Sequence, residues 1–268
     1  MRKYLLPTAV LLFSSFYASS QLEMGLGYGL GVPLKDMAKH IQPAHQGVLT
    51  INYRLPIKNY PQFLVGIETG IGSYAEKTIN QTFQFTDGTI TMTDVRYSSN
   101  IGFVNAVLRY DIPIKGNVIP YLHLIGGYNE LYTDVYVENP DDPMGCKPLE
   151  NENAFNDHTF AWGYGAGVQI KLNEKKRKPG AASYKLDLAV TNVYGGELEY
   201  LNVKHLKAHN HNDPLSPDSK PFVSRFVNVN TQAIHEHQVA EIYDSNLRLL
   251  QIRVGLVIQF GKKSCKNQ

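Results

Sequence analysis

The 268-residue chain sets 26 Lys and Arg against 24 Asp and Glu, a net charge of +2. With its basic residues dispersed, that balance gives no basis for a nucleic-acid partner. After the first twenty residues no apolar run approaches the ~20 residues a spanning helix needs, which excludes a helical membrane protein.

The chain opens MRKYLLPTAVLLFSSFYASSQ. Arg2 and Lys3 form a positive n-region, Leu5–Phe16 an apolar h-region, and Ala18-Ser19-Ser20 a small-residue cleavage site. The expectation is a secretory signal peptide over residues 1–20, with Gln21 the first mature residue. No Cys follows that site, so a lipoprotein anchor is not expected.

Strict alternation begins at once in Leu22–Val32, LEMGLGYGLGV. Leu22, Met24, Leu26, Tyr28 and Leu30 take one face, and Glu23 and four glycines take the other, because strand side chains alternate in direction. The glycines are spaced by two with no helix after them, unlike a nucleotide-binding loop. Lys35–Gln46 reads as a loop and Val48–Leu55 as the second strand, with Thr50, Asn52 and Arg54 on its polar face. The third runs from Phe63 to about Tyr74 with Glu68 inward, and its polar continuation through Thr78–Gly88 reads as a hairpin standing above a membrane. The fourth, Thr89–Ile114, sets Asn105, Arg109 and Asp111 against Val104, Ala106 and Leu108.

The fifth strand, Val118–Val137, alternates Leu122 and Leu124 with Tyr121 and His123. An acidic, Pro-containing loop is expected over Glu138–His158. The sixth strand, Phe160–Leu172, sets apolar residues against glycines, Gln169 and Lys171. The charged stretch Asn173–Ser183 reads as a turn, and Tyr184–Val203 as the seventh strand, with Lys185 and Asp187 inward. Lys204–Asn246 reads as a long irregular stretch, which in a compact domain is functional or disordered. Leu250–Phe260 closes the set: Leu250, Ile252, Val254, Leu256, Ile258 and Phe260 oppose Gln251, Arg253 and Gln259.

Eight alternating strands with long and short connections in turn predict an all-β, transmembrane, antiparallel up-and-down barrel over residues 21–262, with a periplasmic tail at 263–268. Lipid offers no hydrogen-bond partners, so a membrane sheet must close on itself. Tyr53, Phe63, Tyr110, Tyr121, Tyr184 and Phe260 fall near the periplasmic strand ends, and Tyr74, Tyr128, Phe160, Trp162 and Tyr194 near the outer ends, as two interfacial belts. A soluble β-sandwich or lipocalin-like barrel would instead bury the charged faces in a dry core at great cost. Cys146 and Cys265 are expected on opposite sides of the membrane, unable to pair within one chain.

The eight strands, the signal peptide and FAWGYGAGVQIKL together resemble the OmpA-type outer-membrane β-barrel superfamily. The run Arg253-Val254-Gly255-Leu256-Val257-Ile258-Gln259-Phe260 is similar to that family's insertion signal, carried by Arg253, Gly255, Ile258 and Phe260. The resemblance implies recognition by the barrel-assembly machinery and residence among the outer-membrane lipids of a Gram-negative-type bacterium. Gly261–Gln268 departs from the family pattern, whose signal often ends at the terminal aromatic.

Three constellations are candidates for function. The inward charges Glu23, Arg54, Glu68, Arg109, Asp111, Lys171, Lys185, Asp187 and Arg253 form either a salt-bridged plug or the gate of a narrow pore, since eight strands leave an interior barely wider than its side chains. His209, His211, His235 and His237 are weak metal candidates, as imidazoles suit Zn or Cu, although solvated loop histidines are the simpler reading. The acids of Glu138–His158 lack the ordered spacing of a calcium loop. No nucleophile with a partnered base is found, so neither an enzyme nor a cofactor is expected. The expected function is binding, adhesion or assembly with an envelope partner through external loops, residues 204–246 foremost, with a narrow porin as the alternative.

Overall fold

A computed structural model describes residues 21–57, 62–84, 90–137, 150–172, 182–201, 217, 219–227 and 234–260. Residues 1–20, where a signal peptide is expected, lie outside the described residues, as do Cys146, Cys265 and residues 261–268. Nine strands are described: β1 (Leu22–Pro33), β2 (Ala44–Arg54), β3 (Phe63–Gln84), β4 (Ile90–Asp111), β5 (Val118–Val137), β6 (Glu150–Lys171), β7 (Ser183–Leu201), β8 (Lys220–Val227) and β9 (Ile234–Gln259). One short helix, α1 (Met37–His40), stands between β1 and β2.

Every ladder is antiparallel, and each strand from β1 to β7 pairs with the next. Strand β9 then pairs with β7 on one side and with β1 on the other, from Glu23↔Gln259 to Pro33↔Leu249, which closes eight strands into a barrel. The seam needs glycine. Gly27 stands opposite Gly255, and a Cβ on Gly27 would meet the Val254 carbonyl at 2.6 Å, while one on Gly255 would meet the Leu26 carbonyl at 2.9 Å.

Two expected boundaries are corrected. Lys204–Asn246 is not wholly irregular: β8 lies within it and pairs with Ile234–Ile242, the outer part of a 26-residue β9. The acidic stretch Glu138–His158 likewise supplies the outer half of β6, which begins at Glu150 and pairs with β5. A membrane strand needs only ~9–11 residues. Strands β3, β4 and β6 have 22 each, so roughly half of each stands clear of the hydrocarbon.

The two halves obey opposite rules, and this explains why the outer parts of β6 and β9, and the whole of β8, were not recognised as strand. In the membrane half Leu26, Ile67, Leu122, Leu124 and Leu256 point outward, 54–70 % exposed, while Glu23, Thr50, Glu68 and Lys185 are buried inside. In the outer half Glu76, Asn80, Arg96, Asn156, Glu197 and Asp244 are among the exposed residues, with Met92 an apolar exception. There Tyr97, Leu131, Leu198, Tyr200 and Leu247 fill the interior, all fully buried. Met37 and Ile41, carried at and just after α1, are buried in the same cluster. One half is solvated by lipid and the other by water, so each turns a different face to its solvent. A search for outward apolar residues therefore loses β6 and β9 at the membrane boundary, whereas the expected fourth, fifth and seventh strands already run past it.

The belts are corrected in two places. Tyr53, Phe63, Tyr110, Tyr184 and Phe260 occupy the outward parity at the end where β1 begins and β9 ends, and Tyr128, Phe160, Trp162 and Tyr194 the outward parity nearer the other. Tyr121 and Tyr74 do not join them. Both belong to the inward parity of their strands and are almost wholly buried, 1 % and 3 % exposed.

Candidate functional site

The inward charges of the membrane half assemble into one network to which all eight barrel strands contribute. On its first side Glu23 of β1 accepts from Lys185 Nζ of β7 at 2.7 Å and lies 3.3 Å and 3.4 Å from the guanidinium groups of Arg54 and Arg109. Asp111 accepts from Arg54 at 2.6 Å and from Arg109 Nε at 2.7 Å. Gln169 of β6 joins in, its Oε1 accepting from Arg109 at 3.0 Å and from Lys185 at 3.2 Å. On the second side Arg253 of β9 donates to Glu68 of β3, and to Asp187 of β7 at 3.2 Å. Tyr121 of β5 donates its hydroxyl to Asp187 at 2.9 Å and lies beneath the Arg109 guanidinium, 4.6 Å from ring centroid to Cζ. That stacking joins the two sides.

Four carboxylates, Glu23, Glu68, Asp111 and Asp187, thus face four cations, Arg54, Arg109, Lys185 and Arg253, and the network is formally neutral. Eight of the nine predicted residues are brought together. Lys171 is not among them: it sits at the rim of the membrane half, opposite Lys185 in the ladder, and donates to the Gly116 carbonyl at 3.4 Å. Two members, Tyr121 and Gln169, were not predicted as site residues, although both hold inward positions in the alternation. A neutral side chain carries no charge signal, so only parity could have found them.

Above the network the lining stays polar for one further layer. His123 and Thr191 share a hydrogen bond at 2.8 Å, and Gln251 donates to Gln46 at 3.1 Å. Beside Asp187 and Arg253 one cavity measures ≈10 Å³, enough for one water at most. Higher still the apolar cluster of the outer half takes over.

The described strands form a closed, eight-stranded antiparallel barrel of the membrane-spanning kind. Its closed ladder and its polarity, apolar toward lipid and charged within, leave the membrane half of the barrel no soluble equivalent. No family model matches the chain, and no curated protein matches it. Among solved structures the barrel is similar to Neisserial surface protein A, at 11% identity over 90% of this chain and 98% of that one, with a TM-score of 0.39. It is similar to Ail, the attachment invasion locus protein of Yersinia pestis, at 12% identity over 90% and 98%, TM-score 0.35. It is also similar to the outer membrane protease OmpT of Escherichia coli, at 11% identity over 82% of this barrel's chain and 65% of the protease, TM-score 0.34.

The other candidate residues fall as follows. Gly255 holds the β1–β9 seam, Ile258 and Phe260 point outward, 37 % and 39 % exposed, and Arg253 belongs to the lumen network. His209 and His211 lie outside the described residues, and His235 and His237 fall on β9 opposite Phe226 and Ser224 rather than in a loop. Among the described residues no three His, Cys, Asp or Glu side chains converge as a metal site would require. Asp157 serves the backbone: its carboxylate accepts from the Glu199 amide at 2.7 Å and from that of His158 at 2.8 Å. Lys220 of β8 reaches the Glu199 carboxylate of β7, which holds its ammonium above the ordinary lysine range.

Proposed function

We propose that this barrel is a non-conducting, non-enzymatic scaffold that carries a folded external half for binding, adhesion or assembly with a surface or envelope partner. The observation that carries this reading is the length of the strands. They continue about as far beyond the hydrocarbon as they run within it, and there they enclose an apolar core of their own. Transport alone would not call for such an extension. Residues 204–246, which include β8 and the outer end of β9, are the segment assigned to the partner. Loops and strand ends held on a closed ladder are well placed for recognition, since the scaffold limits the ordering that binding requires.

Export by residues 1–20 and insertion through Arg253, Gly255, Ile258 and Phe260 are parts of the same reading, which places the mature chain in the outer membrane of a Gram-negative-type cell. The test is planar-bilayer conductance of the refolded barrel, beside Arg109→Ala and Glu68→Ala variants. The native chain is expected to insert without conducting, and the variants to leak once the network is opened. Stable channels from the native chain would overturn the scaffold reading in favour of a narrow porin.

A further inference from the structure

On the outer wall, at the height where lipid gives way to water, three strands place an aromatic and cationic row in register. Trp162 of β6 pairs with Tyr194 of β7, and Tyr194 with Arg248 of β9. The Trp162 and Tyr194 rings stack with centroids 5.0 Å apart, and the Arg248 guanidinium lies 4.5 Å from the Tyr194 centroid. Tyr164, one outward position nearer the periplasm, stacks on the same Tyr194 at 6.0 Å. Below the row come Asn192 and Leu250, and then Val190 and Ile252, 46 % and 43 % exposed to lipid. Above it come the exposed polar residues Glu197 and Asn246.

Among the described residues no carboxylate lies within ion-pair distance of Arg248. The guanidinium has five donors in a planar fork, and one ring face satisfies none of them. On the adjacent pair β5 and β6, four residues further out than the Trp162 rung, Glu130 accepts from Asn156 at 2.6 Å. The row is also continuous with the lipid-facing wall. Its occupant must therefore join an apolar body, lying against Trp162 and Tyr164, to an anionic head that meets Arg248.

We propose that Trp162, Tyr194 and Arg248 form a binding site for the phosphorylated headgroup of a lipid of the outer leaflet. The stacked rings fix the guanidinium at headgroup depth and seat the first part of the acyl or sugar body. The phosphate oxygens then accept from the fork as charge-assisted hydrogen bonds. This rests on the outer-membrane reading above.

Trp162 is the only tryptophan in the chain, so its emission reports directly on the site. The full chain is reconstituted in phosphatidylcholine bilayers containing rising fractions of a bisphosphorylated diglucosamine lipid or of its dephosphorylated form. A saturable change in Trp162 emission is expected with the phosphorylated lipid alone. Arg248→Gln should raise the midpoint about tenfold, the scale of one lost hydrogen bond to a charged group. Arg248→Lys should fall between, and Arg96→Gln, a cation further out over Tyr136, should match the native chain. Folding of each variant is checked by its heat-modifiable gel mobility. Identical curves for native and Arg248→Gln would overturn the proposal, as would equal responses to the two lipids. Saturation by an acyl-free phosphosugar at the same concentration would overturn the lipid assignment. Failure of the native chain to insert at all would instead overturn the outer-membrane reading on which the proposal rests.

Discussion

Removing the charge of Glu23 tests whether the lumen network is a balanced plug. Glu23 is fully buried and receives three cations, Lys185 at 2.7 Å, Arg54 at 3.3 Å and Arg109 at 3.4 Å. Glu23→Gln keeps the shape but leaves four cations facing three carboxylates in a space too narrow for water to compensate. Breaking one partner out of a buried ionic cluster costs ~3–5 kcal/mol, because the remaining charge stays desolvated. Replacing both Glu23→Gln and Lys185→Met restores neutrality and should cost far less than the sum of the single changes, with a coupling of ~2–3 kcal/mol. Urea unfolding from lipid vesicles, followed by the emission of Trp162, measures all four corners of that cycle. Additive penalties, or a Glu23→Gln loss below ~0.5 kcal/mol, would refute the balanced plug and imply a hydrated lumen.

Other expectations follow from the same geometry. Gly27→Val should block closure, since its Cβ would meet the Val254 carbonyl at 2.6 Å, whereas Gly102→Ala, with nothing within 4 Å, should fold normally; heat-modifiable gel mobility distinguishes them. Leu247→Ala, in the apolar core of the outer half, should cost ~2–5 kcal/mol and expose that half to protease on intact cells. Leu256→Ala, on the lipid wall at 58 % exposure, should leave protease resistance unchanged. Equal sensitivity of the two leucine variants would contradict the polarity reversal between the halves.

Much of the membrane half was legible in the chain because lipid imposes a simple rule. Each strand there alternates apolar with polar or glycine residues, and Leu122 and Leu124, Ile252 and Val254, and Glu23 and Lys185 fall on the sides that rule assigns them. Eight of nine lumen charges were found by parity alone. Lys171 was the exception: its inward position lies at the last rung of β6, where the wall ends and the side chain reaches the rim. Tyr121 was placed in a belt because aromatic type was weighed above parity, and the structure shows parity prevailing. Glu150–His158 and Lys220–Val227 were read as irregular because their surroundings change from lipid to water, so the signal that marks a spanning strand no longer applies.

The amino-acid sequence by itself determined the class of fold, the closing strand and the sign of each lumen position, since a period of two against lipid admits few alternatives. Only the tertiary structure decided which charges meet. Lys185 lies 162 residues from Glu23, and Arg253 lies 185 from Glu68, separations that no local pattern encodes. It decided as well where the polarity reverses, because that boundary is a height on the closed barrel. Strands of unequal length reach that height at unrelated points along the chain.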